Sequence, residues 1–265
     1  MDHIRTNNLR EAFYAMNNFF THLTNGDSQA VTHNVFRNDH FLNAYNIFLE
    51  ADSHENGLTL EQMGYSKAKM THLIKSYLSK EALEDWIKRI QTKLEDLGVI
   101  DSDIVMRTTD SSKHSNGPCI LAFSFRWREN GIPHLIVTSR SAELPQIFGG
   151  DTIFISAIAE LIRRRIGFSP QVKVTWFISS ARIKSRAANF YRLMIHPMKP
   201  VYLNRDFQRH VEKQWSNILA DQEKTVSFSK LVKLQKEYKR VVIDKESPVE
   251  QTGVEHFIQK LEKGW

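Results

Sequence analysis

The chain has one cysteine, Cys119, among 265 residues. No intramolecular disulfide can form, so burial and hydrogen bonding must hold the fold, and a single thiol is left to explain. No apolar run approaches the roughly 18 residues that a membrane-spanning helix needs. The N-terminal MDHIRTNNLREAF has no apolar signal core. These absences lead us to expect a soluble, cytoplasmic protein with no membrane partner. There is no repeat at a fixed period, no low-complexity segment, and no Pro/Gly/Ser linker long enough to divide the chain. There is also no Lys/Arg tail, although the net charge is +6. A spread positive balance favours anionic partners such as nucleotides, nucleic acid or polyglutamylated cofactors, without requiring nucleic acid. A merely basic enzyme surface accounts for it equally well.

What is present is apolar and aromatic. A hydrophobic fraction of 41%, with 16 Phe, 7 Tyr and 5 Trp, excludes a disordered chain and supplies an ample core. Leu9, Phe13, Met16, Phe20 and Leu23 fall near helical spacing and predict a helix over 7–24, stopped by Asn25-Gly26. A short helix is expected over 39–50, ended by the polar ADSHENG stretch. Two more are expected over 66–78 and 80–97, the second with Ser79 as N-cap and Gly98 as its stop. The character changes near residue 100. Residues 119–127 (CILAFSFRW) and 134–139 (HLIVTS) predict the two strands of a hairpin about RENGIP. Residues 151–166 (DTIFISAIAELIRRRI) predict a buried helix with arginines at its C-terminal end, where the helix dipole favours them. A strand over 172–178, helices over 184–194 and 205–220, a short strand over 241–243 and a terminal helix over 253–262 complete the reading. The class is α+β, a mixed sheet with a buried central helix. One domain is expected, with a helical N-terminal part (about 1–98), a sheet-containing catalytic core (about 99–220) and a C-terminal extension (about 221–265).

Three short segments carry candidate chemistry. Asn116-Gly117-Pro118-Cys119 opens the first hairpin strand, Ser139-Arg140-Ser141-Ala142-Glu143 closes the second, and Gly149-Gly150-Asp151 leads into the buried helix. Adjacent strands bring Cys119 and Arg140 to one end of a sheet. A thiolate is a strong nucleophile, though a lone cysteine is also an ordinary small core residue. Arg140 offers a fork of donors for a phosphate, or is a surface arginine at a strand end. Ser141 is a further donor or a turn hydroxyl. Asp151 is an acceptor facing a ligand or a helix N-cap, roles that are not exclusive. Glu143 orients donors or is a solvated turn residue, and Arg107 reaches a phosphate or is a plain strand arginine.

The order and spacing of these segments resemble the thymidylate synthase family and its pyrimidine-hydroxymethylase relatives. Pro118-Cys119 is similar to the family's Pro-Cys-His segment. Arg140-Ser141-Ala142-Glu143 resembles its Arg-Ser-x-Asp segment, 21 residues on, and Asp151 falls eleven residues after Arg140, where the family has Asn. The likeness covers about residues 85–180. It implies a thymidylate synthase-like fold, a homodimer, and C5 chemistry on a pyrimidine nucleoside monophosphate. In such a site Cys119 adds to C6 of the base, Arg140 and Ser141 hold the phosphate, and Asp151 reads the base. An ionised Asp only accepts, which suits cytosine and so dCMP or CMP; dUMP is the alternative base. The implied donor is 5,10-methylenetetrahydrofolate, and the implied product a hydroxymethylated nucleotide of the kind used in phage DNA. A non-catalytic nucleotide- or DNA-associated protein is a further alternative. The family's His-x-Tyr sugar contact is absent, with Ser180 and Arg182 as substitutes, and Ala44 stands where the family's folate-side glutamate falls. The N-terminal phosphate arginine has only Arg5, Arg10 and Arg37 as candidates.

Overall fold

The computed structural model describes residues 2–24, 35–37, 41–58, 74, 75, 77–108, 118–128, 131–144, 146–167, 171–184 and 253–263. Its elements in order are β1 (Asp2–Asn8), α1 (Leu9–Thr24), β2 (Val35–Arg37), β3 (Phe41–Ser53), α2 (Lys80–Leu97), β4 (Ile100–Arg107), β5 (Ile120–Trp127), β6 (His134–Glu143), α3 (Gln146–Ile166), β7 (Lys173–Lys184) and α4 (Gly253–Lys263). The helices expected over 184–194 and 205–220, and the strand over 241–243, lie outside the described residues. So does most of the helix expected over 66–78, of which 74, 75 and 77 are helical.

The strands form one mixed sheet in the order β1-β3-β7-β6-β5-β4. β2 shares an edge of β3 with β1, pairing Val35 to Ala44, after which β1 takes over at Ile47. β4-β5-β6 is an antiparallel meander, and β6 runs parallel to β7 through the crossover helix α3.

Two sequence expectations fail in the N-terminal third. Residues 39–50 do not form a helix; they lie in β3. Ile47, Leu49 and Ala51 are buried at period two, with Phe48 and Glu50 alternating to the other face. Pairing with β7 from Phe41 to Ala51 outweighs the local helical preference of Ala, Leu and Glu. β1 also precedes the first helix, so that region is not simply helical. Asn8 ends β1 and caps α1: its Oδ1 accepts from the Glu11 N–H at 2.8 Å, and Glu11 reaches back to the Asn7 N–H at 3.1 Å.

Other elements follow the sequence closely. α2 begins where Ser79 accepts from the Ala82 N–H and ends at Gly98, with φ of 68°. The hairpin and its turn form, with the Gly131 N–H donating to the Arg128 carbonyl at 3.0 Å. The strand expected over 172–178 continues to Lys184, and α3 starts at Gln146, five residues before Asp151.

One face of the sheet carries the helices. Phe13 of α1 stacks on Phe148 of α3 at 6.4 Å, and Phe148 stacks on Trp176 of β7 at 5.0 Å, joining three layers. Trp86 of α2 donates its indole N–H to the Ile104 carbonyl at 2.8 Å and packs against Phe123. α4 closes over α3 through Phe257 and Phe154. Among the described residues no helix is long and apolar enough to cross a membrane.

A buried polar clasp ties this helix layer to the sheet. The Val172 N–H donates to His54 Nδ1 at 3.2 Å, so the imidazole proton sits on Nε2 and is donated to Glu160 at 2.9 Å. Glu160 also accepts from Arg163 and Arg164 at 2.7–2.8 Å. Burial alone would raise the Glu160 carboxyl, but these donors hold it down at about 2. Replacing His54 with Ala strands the Val172 N–H and removes one donor from Glu160. We expect a loss of about 2–4 kcal/mol in urea unfolding. His54→Phe should rescue little of it; full rescue by Phe would mean that His54 only fills space.

Candidate functional site

The meander and the crossover converge at one end of the sheet, where β6 and β7 finish and β5 begins. Cys119 occupies the bend before β5. Its carbonyl accepts from the Arg140 N–H at 2.8 Å, which closes the hairpin ladder there. The thiol is half-buried against the edge of the core. Ser141 donates its hydroxyl to Cys119 Sγ at 3.4 Å.

Strand register extends this contact sideways, because residues directly opposite on neighbouring strands share a face. Ser141 pairs with Ser180, and Ser180 pairs with Tyr45. One row therefore runs Ser141, Ser180, Tyr45 across β6, β7 and β3, and Cys119 joins it through the Ser141 hydrogen bond. The next row outward is Glu143, Arg182 and Asn43. In it Glu143 accepts from Arg182 at 2.7 and 3.1 Å, so these two candidates hold each other at the rim. Burial loses its period of two here: Ser139, Ile178 and Ile47 are buried, and so are Ala142, Ala181 and Ala44, three residues away in each strand.

The arginines are placed differently. Arg140 lies between Ser139 and Ser141 in β6, opposite Cys119, and is exposed. Arg107 ends β4 opposite Ala122, which pairs with Thr138, two residues before Arg140. Of the N-terminal arginines, Arg5 is ion-paired to Asp52 at 3.5 Å.

Asp151 is not the cap of α3; it sits in the second turn and is fully buried. The Tyr77 hydroxyl donates to Oδ1 at 3.1 Å, and Tyr77 stacks on Phe154 one turn further along. Oδ2 has no partner. Burial, against a weaker pull from the Tyr77 bond, pushes the carboxyl up to about 8. It is neutral at pH 7, so it both donates and accepts. This corrects the expectation of an ionised group that only accepts. The carboxyl is also covered by the surrounding protein.

Sequence reasoning missed Tyr45 and Asn43, because the misread helix hid the register that places them in these rows. The period-two burial of Ile47, Leu49 and Ala51 was the available signal. It also missed Tyr77 as the partner of Asp151, a contact 74 residues apart in sequence. Among the described residues no cluster of His, Cys, Asp or Glu is arranged to hold a metal.

No protein-family model matches the chain, and no curated protein matches it. Among solved structures it is similar to the thermostable thymidylate synthase A from Bacillus subtilis, with 11% sequence identity and a TM-score of 0.49 over 71% of this chain and 84% of that one.

Proposed function

We propose that this chain is a pyrimidine nucleotide C5 one-carbon transferase, with Cys119 as its nucleophile. The observation that carries the reading is the half-buried thiol at the sheet end with the Ser141 hydroxyl on its sulfur. It sits at the spacing from Arg140, Ser141 and Asp151 on which the sequence resembles thymidylate synthases. The thiolate adds to C6, the C5=C6 π pair shifts toward the C4 substituent, and C5 becomes nucleophilic. C5 then attacks a one-carbon electrophile and loses its proton, the donor's nitrogen leaves with the C–N pair, and the thiolate is expelled from C6 once the transferred carbon has been captured. The proposed donor is 5,10-methylenetetrahydrofolate. Water completing the product, in place of hydride, would make it a hydroxymethyltransferase, acting as a homodimer in the cytoplasm.

Cytidylate, as dCMP or CMP, is the substrate placed first. A neutral Asp151 matches cytosine by donating to N3 and accepting from the N4 amino group. It matches uracil equally, by donating to O4 and accepting from N3–H. The base is therefore left to experiment, with dUMP as the competing substrate. Arg140, Ser141 and Arg107 are assigned to the phosphate. Ser180 and Arg182 are assigned to the sugar, and Glu143 to holding Arg182.

Release of tritium from [5-³H]dCMP, [5-³H]CMP and [5-³H]dUMP tests the reading. Release from at least one nucleotide without any donor is expected, faster when methylenetetrahydrofolate is present. Absence of release from all three, with nucleotide still shielding Cys119 from iodoacetamide, would replace the enzyme by a nucleotide-binding protein.

A further inference from the structure

A cleft of about 560 Å³ opens beside β1, away from the candidate site. β3 passes the Cys119 end of the sheet at Tyr45, opposite Ser180. Asp52, on the cleft wall, lies seven residues further along β3, or about 23 Å. β1 is the edge strand of the sheet and leads through the Asn8 cap straight into α1, so strand and helix meet at a corner. Arg5 and Asn7 of β1, Glu11, Tyr14 and Ala15 of α1, and Asp52 line the space between them. Its volume falls in the range of small-molecule sites.

Among the described residues the polar groups of this lining are only partly used. Glu11 accepts two bonds from Asn7, at 2.9 and 3.1 Å, both on Oε2, which leaves Oε1 without a partner. Asp52 takes one long contact from Arg5, 3.5 Å, on Oδ1, and Oδ2 has none. Tyr14 is only 8% exposed, and Phe13 packs edge-on against its ring at 5.3 Å. A buried tyrosine normally finds a partner for its hydroxyl, yet that of Tyr14 has none among the described residues. Tyr14 lines the cleft, so a partner for this hydroxyl would come from there.

Two carboxylates face one guanidinium, and a single positive charge balances such a lining. An anion drawn to Arg5 would meet both carboxylates; a cation meets their unused oxygens and is opposed only by Arg5. Two carboxylates, one already held by Arg5, are too few oxygens for a hard divalent ion. A primary ammonium brings three donors. The Tyr14 ring edge and the Ala15 methyl give its carbon body an apolar wall. We propose that this cleft binds a monocationic primary amine on an apolar body, recognised by Glu11, Asp52 and the Tyr14 hydroxyl. The proposal stands independently of the transferase reading.

Ligand-observed NMR titration of phenethylamine into the full chain, beside 2-phenylethanol and 3-phenylpropionate, tests it. Phenethylamine should bind with a Kd on the order of 1 mM, about fivefold tighter than the neutral or the anionic analogue. Glu11→Gln keeps an oxygen for Asn7 and loses the charge, and should weaken the amine about fivefold. Tyr14→Phe should also weaken it about fivefold, the size of one hydrogen bond. Arg5→Gln should tighten it about twofold, because the opposing charge is gone. Equal binding of the three analogues, preference for 3-phenylpropionate, or weaker amine binding by Arg5→Gln would each overturn the proposal. So would unchanged affinity in Tyr14→Phe. Should Glu11→Gln lower the urea midpoint, Tyr14→Phe decides, since it breaks no hydrogen bond of the fold.

Discussion

Replacing Cys119 with Ser should lower C5 tritium release by roughly a thousandfold or more, about 4 kcal/mol in the barrier. The substitution changes one atom at a half-buried position, and Ser141 can still donate to the new hydroxyl. An alcohol ionises far less readily than a thiol, and no histidine is hydrogen-bonded to Cys119 among the described residues to act as its base, so the serine has no route to a nucleophilic oxyanion. The loss should therefore fall on the chemical step. Nucleotide affinity should stay within a few-fold, and the urea midpoint should hardly move. Ser141→Ala separates the sulfur's neighbour from the sulfur itself. It removes one hydrogen bond to Sγ and should slow exchange by no more than about tenfold. If Cys119→Ser retains wild-type exchange, thiol addition is wrong. If it loses nucleotide binding and stability together, Cys119 is a packing residue.

How far the site was legible depended on the range of the interactions that build it. α2 could be read to its last residue because Ser79 and Gly98 act within one turn of the chain. The β5–β6 hairpin could be read because its turn signal and both strands lie within 25 residues, and with it came the adjacency of Cys119 and Arg140. β3 could not. Its FLNAYNIFLEADS suits a helix locally, and only pairing with β7, more than 120 residues on, makes it a strand. Half of the row containing Cys119 depends on that pairing, so Tyr45 and Asn43 were invisible. The faces were hidden as well. Which side holds the thiol is set by the bend before β5 and by the irregular register between Ile120 and Ala122. For Asp151 the residue type was legible and its charge state was not. Burial under a helix layer, against a tyrosine from residues 74–77, decides that the carboxyl is neutral.

That neutrality has a measurable signature. Asp151 ionises near its ordinary value of 3.8 in the unfolded chain and at about 8 in the folded protein. Between those values the folded state holds a proton that the unfolded state has lost. Stability from this group is fully present below about pH 4 and is lost as pH rises toward 8, at about 1.4 kcal/mol per pH unit. Other groups act below the top of that range. Burial, with Arg126 and Lys173 nearby, holds His134 down at about 4, from an ordinary 6.5, so its contribution is lost as pH falls through that window and opposes Asp151 there. Glu160, held at about 2, matters only below its ordinary 4.5. Above pH 6.5 Asp151 acts without them. Wild type should therefore lose about 2 kcal/mol between pH 6.5 and 8 relative to Asp151→Asn, whose amide keeps the shape and cannot titrate. Urea unfolding of the two proteins at half-unit steps of pH checks this. Parallel curves would mean that Asp151 is already ionised or hydrated in the folded state. The base reader would then only accept, which would favour cytosine. Diverging curves would leave a neutral acid facing the base, and C5 exchange that prefers neither dCMP nor dUMP at pH 7 should shift toward dCMP as the carboxyl ionises above pH 8.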